Sequence, residues 1–173
     1  TYSSTTTATA ITVPGAPTAL AGTAGDLSMA LSWTAPASNG SSAITDYTVQ
    51  YKLTSAGSWT TFADGTSTTT SATVTGLVAG SSYDFRVAAV NAAGTGTYSS
   101  TTTATAITVP GAPTALAATP GDQTMALSWT APASNGNSAI TDYTVEYKLT
   151  SAGSWTTFAD GTSTTTSATV KIG

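Results

Sequence analysis

Apolar and polar residues alternate along much of the chain. Met29, Leu31 and Trp33 interleave with Ser28, Ala30 and Ser32, and Tyr47, Val49 and Tyr51 interleave with Thr48, Gln50 and Lys52. A period of two, with one apolar face, marks a half-buried strand. The same period returns at Ala72 and Val74, and again at Tyr83, Phe85, Val87 and Ala89. Three further segments read as strands: a short one around Leu20, WTTFA (59–63), and the Thr-rich TYSSTTTATAIT (97–108). Between them stand turn formers: VPGAPT (13–18), the Asn-Gly of APASNGSS (35–42), Asp64-Gly65, and the AAGTG loop (92–96). Seven strands joined by short turns predict an all-β sandwich.

The pattern repeats. TYSSTTTATAITVPGAPTALA begins at Thr1 and again at Thr97, and the copies stay in register to Val74 and Val170. The differences are Gly22/Ala118, Ala24/Pro120, Leu27/Gln123, Ser28/Thr124, Ser41/Asn137 and Gln50/Glu146. Solenoid repeats run to roughly 20–50 residues, so this longer period is the size of a small domain. The stretch Leu77–Gly96 occurs once; after Val170 the chain reads Lys171-Ile172-Gly173 where Thr75-Gly76-Leu77 stood.

Composition narrows the chemistry. Charged residues make up 7% of the 173 positions, and the net charge is −4. Four basic residues give no footprint for a nucleic-acid backbone or an anionic membrane. With no Cys and no His, disulfides, thiol nucleophiles, the usual zinc ligands and the commonest general base are all missing. No apolar run is long enough for a membrane-spanning helix. The chain opens at Thr1 without a signal-like segment, as a mature or excised piece would. A Thr, Ser, Asn and Gly surface with little charge suggests an extracellular or cell-surface protein.

At Leu77 the pattern becomes specific. LVAGSSYDFRVAAVNAAG (77–94), with Pro17 ahead of the first strand, Trp33 on the second and Tyr47 and Tyr51 on the third, resembles a fibronectin type III domain. The tandem, low-charge composition is similar to bacterial arrays of that family. The resemblance implies an immunoglobulin-like Greek-key sandwich with strands A-B-E on one sheet and C′-C-F-G on the other. It makes Tyr83 a tyrosine-corner residue whose hydroxyl bonds back to nearby backbone. Trp33, Leu77, Tyr83, Phe85, Val87 and Trp129 are then structural. Trp59 and Trp155, beside Ser and Thr on a C′ edge, are the candidate contact residues.

On this scheme the chain holds one complete unit and parts of two flanking ones. Residues 1–12 match a G-like strand, residues 13–108 run A through G, and residues 109–173 carry A to E and lack F and G. Removing F deletes counterparts of Tyr83, Phe85 and Val87, each contributing roughly 1.5–3 kcal/mol when buried. The total, roughly 5–9 kcal/mol, rivals the stability of a whole domain, about 5–15 kcal/mol. By itself residues 109–173 are expected not to fold stably. Three origins stay open: a window from a longer array, an engineered truncation, or a subunit assembling head to tail. In the last, residues 1–12 of one copy add a strand to residues 109–173 of the next, the self-association the pattern allows.

Catalytic chemistry is not indicated. The acidic residues sit singly beside turns, no two spaced to share a site, and Asp64-Gly65-Thr66 offers one carboxylate where calcium wants several oxygens. No metal and no cofactor is expected. Lys52 and Lys148 are placed on a solvated outer face, which argues against a Lys–Asn isopeptide crosslink. No Arg-Gly-Asp tripeptide occurs. The Thr-rich tracts Ser3–Thr9 and Thr66–Ser71 read as exposed strand edges or as O-glycosylation sites. The expected function is a non-catalytic structural or adhesion module of a secreted or cell-surface tandem array, or a head-to-tail filament subunit; the alternative is a spacer in an extracellular polysaccharide-degrading enzyme.

Overall fold

The computed structural model describes residues 9–171, and all their regular structure is β. The chain divides into two compact units, with the boundary between Ile107 and Thr108.

The first unit contains β1 (Thr18–Gly25), β2 (Ser28–Thr34), β3 (Asp46–Leu53), β4 (Thr60–Thr61), β5 (Ser71–Thr75), β6 (Ser82–Asn91), β7 (Gly94–Thr95) and β8 (Thr102–Thr105). β1, β2 and β5 form one antiparallel sheet, with β2 in the middle. β4, β3 and β6 form the other, and β7 and β8 both pair with β6. This is the sandwich that the alternation predicts, in the immunoglobulin-like arrangement that the resemblance implies. The inward positions of the strands meet between the sheets: Met29, Leu31 and Trp33 from β2, Tyr47 and Val49 from β3, Val74 from β5, and Tyr83, Phe85, Val87 and Ala89 from β6. β6 runs through the centre of its sheet, between β3 and the β7–β8 edge, and this explains its continuous burial.

Two elements depart from the expected strands. The Thr-rich segment 97–108 forms only the short strand β8 (Thr102–Thr105), while β7 (Gly94–Thr95) lies within the AAGTG loop ahead of it. Between the two, Gly96 lies so close to the Pro14 carbonyl that a Cβ there would overlap it, and its N–H donates to the Ala89 carbonyl of β6 (2.8 Å). Ser99 fills the gap: its N–H donates to the Val87 carbonyl (2.8 Å), while its buried Oγ accepts from the Val87 N–H (3.1 Å). The tract Thr66–Thr70 is a loop, and only Ser71–Thr75 pairs as β5. High β-propensity loses here to local bonding. The Ser67 N–H donates to Asp46 Oδ1 (2.9 Å) and the Thr69 N–H to Ser67 Oγ (3.2 Å), so hydroxyls satisfy the backbone in a turn. Of the Thr-rich tract near the start, Ser3–Ala8 lies outside the described residues. Residues 9–12 form no strand; the Thr12 N–H donates to the Gly40 carbonyl (2.9 Å) and leads into unit 1.

The second unit contains β9 (Thr114–Gly121), β10 (Thr124–Thr130), β11 (Glu146–Tyr147), β12 (Thr156–Thr157) and β13 (Ser167–Lys171). β9, β10 and β13 form a three-stranded sheet in the same registers as β1, β2 and β5. β11 and β12 form a two-stranded ribbon. β3 and β11 come from nearly the same sequence, yet β3 spans 8 residues and β11 only 2. The difference lies in the neighbour. β3 pairs along its whole length with β6, and among the described residues of unit 2 no strand lies on that side of β11.

Candidate functional site

The residues expected to be structural sit as follows. Trp33 is buried, with its ring edge-on to Tyr47 at a centroid distance of 5.3 Å. Phe85 and Val87 are fully enclosed, and Leu77 is buried at the corner where the chain passes from one sheet to the other. The Tyr83 hydroxyl accepts from the Val78 N–H (3.2 Å), tying that corner to the start of β6, and its ring packs near Tyr51 and Phe85. Trp129 keeps the geometry of Trp33 against Tyr143, at 5.3 Å, but is only half-buried.

On the outer face of β3 and β6 the polar side chains form a ladder. The Arg86 guanidinium lies between the rings of Trp59 (4.2 Å) and Tyr98 (4.1 Å). Its Nε and Nη2 donate to Gln50 Oε1 at 3.0 and 2.7 Å. A planar, weakly hydrated cation held between two aromatic faces gains from both stacking and charge–quadrupole attraction. One rung further along, Lys52 Nζ lies 3.0 Å from Asp84 Oδ2 and also donates to the Ala56 carbonyl (3.0 Å). The Thr103 hydroxyl donates to Asp84 Oδ1 (2.7 Å); this bond and the Lys52 ammonium hold the Asp84 carboxyl below the usual carboxylate range. Lys52 is therefore not the freely solvated side chain expected from its outward position: both partners of the ion pair are about 85% covered, with relative exposures of 15% and 14%. Trp59 is half-buried beneath Arg86 and has little face left to offer a partner.

Trp155 is the same residue one period later, and it is 60% exposed. Only Lys148 Nζ stands over it, at 5.0 Å. Below it the groove between the β9–β10–β13 sheet and the β11–β12 ribbon is open. Two adjoining hollows of about 360 and 630 Å³ share Leu116, Leu127, Glu146 and Trp155 as walls. Met125 and Leu127 are half-buried, whereas their counterparts Met29 and Leu31 are sealed. The groove is lined by the positions that cover β6 in unit 1, with Glu146 in place of Gln50 as the one changed residue on β11.

Among the described residues no three His, Cys, Asp or Glu side chains come together to hold a metal ion. The carboxylates lie apart on turns and strands. What the arrangement offers is backbone, apolar surface and a few charges: the means of pairing strands.

Three residues of unit 1 carry more than the pattern suggested. Arg86 and Tyr98 complete the ladder, and Asn91, at the end of β6 just ahead of the AAGTG loop, is buried as a latch. Its Nδ2 donates to the Thr12 and Asn39 carbonyls (2.7 Å each), and its Oδ1 accepts from the Ala93 N–H (2.8 Å). An Arg on the polar side of a strand opposite Gln is the available signal for the first; an Asn closing a strand, with no hydrophobic period to mark it, leaves little for the second.

A fibronectin type III domain model matches residues 15–105, just over half of the chain. Human myomesin-2 is 33% identical over 136 residues, covering 75% of this chain and 9% of that protein. Chicken myosin-binding protein H is 44% identical over 66 residues, covering 38% of this chain and 12% of that protein. The chain thus spans about a tenth of these relatives. Among solved structures, titin domains A168–A170 share 34% identity at a TM-score of 0.51, covering 55% of this chain and 32% of theirs. The twitchin kinase region of C. elegans shares 31% at 0.51, covering 55% and 17%.

Proposed function

Because the chain belongs to the fibronectin type III family, we propose that it is a non-catalytic structural module, one stretch of a tandem array that sets length and spacing between other parts of a protein assembly. The observation that carries this reading is the 96-residue repeat of a sandwich unit with its chemistry spent on its own core and ladder. Near-identical units contribute equal increments of length, whatever lies at either end. The myomesin, myosin-binding and titin relatives favour a protein-assembly setting. They are not bacterial surface proteins or polysaccharide-degrading enzymes, so neither the bacterial character nor the enzyme-spacer reading is carried further. Secretion and adhesion gain no support from them and do not enter the proposal.

A load-bearing spacer resists extension and then gives way in a defined step. Pulling single chains by their ends should show one abrupt event from unit 1. Its contour gain should be roughly 300 Å, from about 90 residues at up to 3.6 Å each less the folded span. Smooth extension without that event, or a gain far from it, would remove the mechanical role.

A further inference from the structure

We propose that the outer edge of β5 in unit 1 is a homotypic docking site, where two copies of this chain pair strand to strand about a two-fold axis at Thr73. The backbone shows which groups are on offer. The Trp33 N–H donates to the Thr70 carbonyl (3.0 Å), in line with the β2–β5 register. Hydrogen-bonding direction alternates along an antiparallel strand, so residues 70, 72 and 74 face β2. Ser71, Thr73 and Thr75 therefore turn their N–H and C=O groups the other way, and all three are exposed. Among the described residues β5 has no ladder partner on that side. The Ser71 carbonyl accepts from the Thr69 hydroxyl (3.3 Å) and keeps its second lone pair.

The other edges of the sandwich are blunted. β1 is interrupted by a bulge between Thr18 and Ala21, with Ala19 at a φ of 53°, and it lies beside β8. β4 and β7 are 2 residues long each, too short to add much ladder. β5 has none of these devices: SATVT carries no charge, no proline and no glycine, and its register with β2 is unbroken. An edge of that kind is a template for pairing with another chain. β13 repeats SATV but has Lys171 where β5 has Thr75, and a lysine on an edge resists pairing, so the site belongs to unit 1.

What fits this edge is the same edge. Antiparallel pairing about Thr73 sets Thr73 against its own copy and Ser71 against Thr75. On the outer face every cross-strand contact is then hydroxyl to hydroxyl, and on the inner face Ala72 meets Val74. Thr–Thr and Thr–Ser pairs add to the main-chain bonds, and no charge on the strand is desolvated or repelled. The seam also joins like surfaces. The outward residues of β2 are Ser28, Ala30, Ser32 and Thr34, small and uncharged as on β5. A five-residue ladder is a small contact, so the dimer is weak and transient. Lateral pairing is independent of the spacer role, which a solitary chain fulfils equally well.

The test follows the full 173-residue chain at rising concentration. Sedimentation velocity should show a monomer passing to a dimer. Amide exchange should slow at Ser71, Thr73 and Thr75 but not at Ala72 and Val74, which β2 already holds. Thr73→Pro removes an outward N–H without touching the β2 ladder, a change that edge strands tolerate, and should abolish the dimer. Thr73→Lys keeps the N–H, sets two ammonium groups face to face and should weaken the dimer severalfold; it guards against misfolding of the proline variant. The chain has no Cys, so a single Thr73→Cys reports the register. Mild oxidation should join two copies there, because facing Cα atoms of a hydrogen-bonded pair lie about 5.5 Å apart, within disulfide reach. Thr75→Cys, which faces Ser71 of the other copy, should join far less. A monomer at every concentration, protection confined to residues outside β5, a dimer indifferent to both Thr73→Pro and Thr73→Lys, or equal crosslinking at 73 and 75 would each overturn the pairing. The single-chain pulling trace is the same in either case.

Discussion

A single hydroxyl at Tyr83 holds the corner between the two sheets of unit 1. Its bond from the Val78 N–H is half-buried, so Tyr83→Phe keeps the ring packing and leaves one backbone donor to find water. Chemical denaturation of unit 1 should show a loss of about 1 kcal/mol. Asp84 gives a pH signature. Its folded-state carboxyl is held below the ordinary value, first by the Thr103 hydroxyl and then by Lys52. The stabilisation it supplies is therefore complete above the unfolded-state value and disappears as the pH falls through the folded one. Asp84→Asn should flatten that part of the acid limb of stability against pH. Asp64 works oppositely, since burial raises its carboxyl, and the comparison must be made between variant and parent at each pH. At this scale the apolar positions were legible and the polar ones were not. Phe85 declares its burial by alternation. Whether Trp59 is covered or Trp155 bare depends on an arginine on another strand, and nothing in the WTTFA segment encodes that.

Among the elements, β6 carries the most. It is central in its sheet and supplies Tyr83, Phe85, Val87 and Ala89 to the core. Phe85→Ala should cost about 3–5 kcal/mol, a large share of a domain's stability of about 5–15 kcal/mol, and a strongly lowered midpoint of its thermal transition would register this. The strands with apolar alternation could be read from the sequence, because period two survives any tertiary setting. The Thr-rich ones could not. Threonine favours strands in general, but Ser67, Thr69 and Asp46 offer the backbone a turn instead, and Ser99 accepts from the Val87 N–H of β6 with its hydroxyl where a strand would have used its carbonyl. β3 and β11 make the same point without any change of residue type at most positions: strand length there is set by the partner.

For the molecule as a whole, two units of nearly one sequence have different cores. Unit 1 seals Met29, Leu31, Val49 and Phe85, whereas unit 2 buries Val145 and Val170 and leaves Leu116 and Leu149 largely exposed. Hydrogen exchange should therefore separate them. Amides of β3 should exchange by global opening of unit 1, while their counterparts at residues 142–149 should exchange orders of magnitude faster. Equal protection in both would mean that the groove is closed in solution.

Among the described residues β6 fits both β3 and the nearly identical stretch around β11, and this bears on how residues 1–173 refold. A strand that satisfies either site is a source of kinetic partitioning: in a refolding reaction, residues 82–91 can be captured by β11 before β3 claims them, and the wrong pairing is itself held by good contacts. Synthesis from the N-terminus removes the contest, because β1 to β6 emerge together before residue 146 exists. Near-identity of the repeats is thus a hazard when residues 1–173 must find their fold at once, and order of synthesis lessens it.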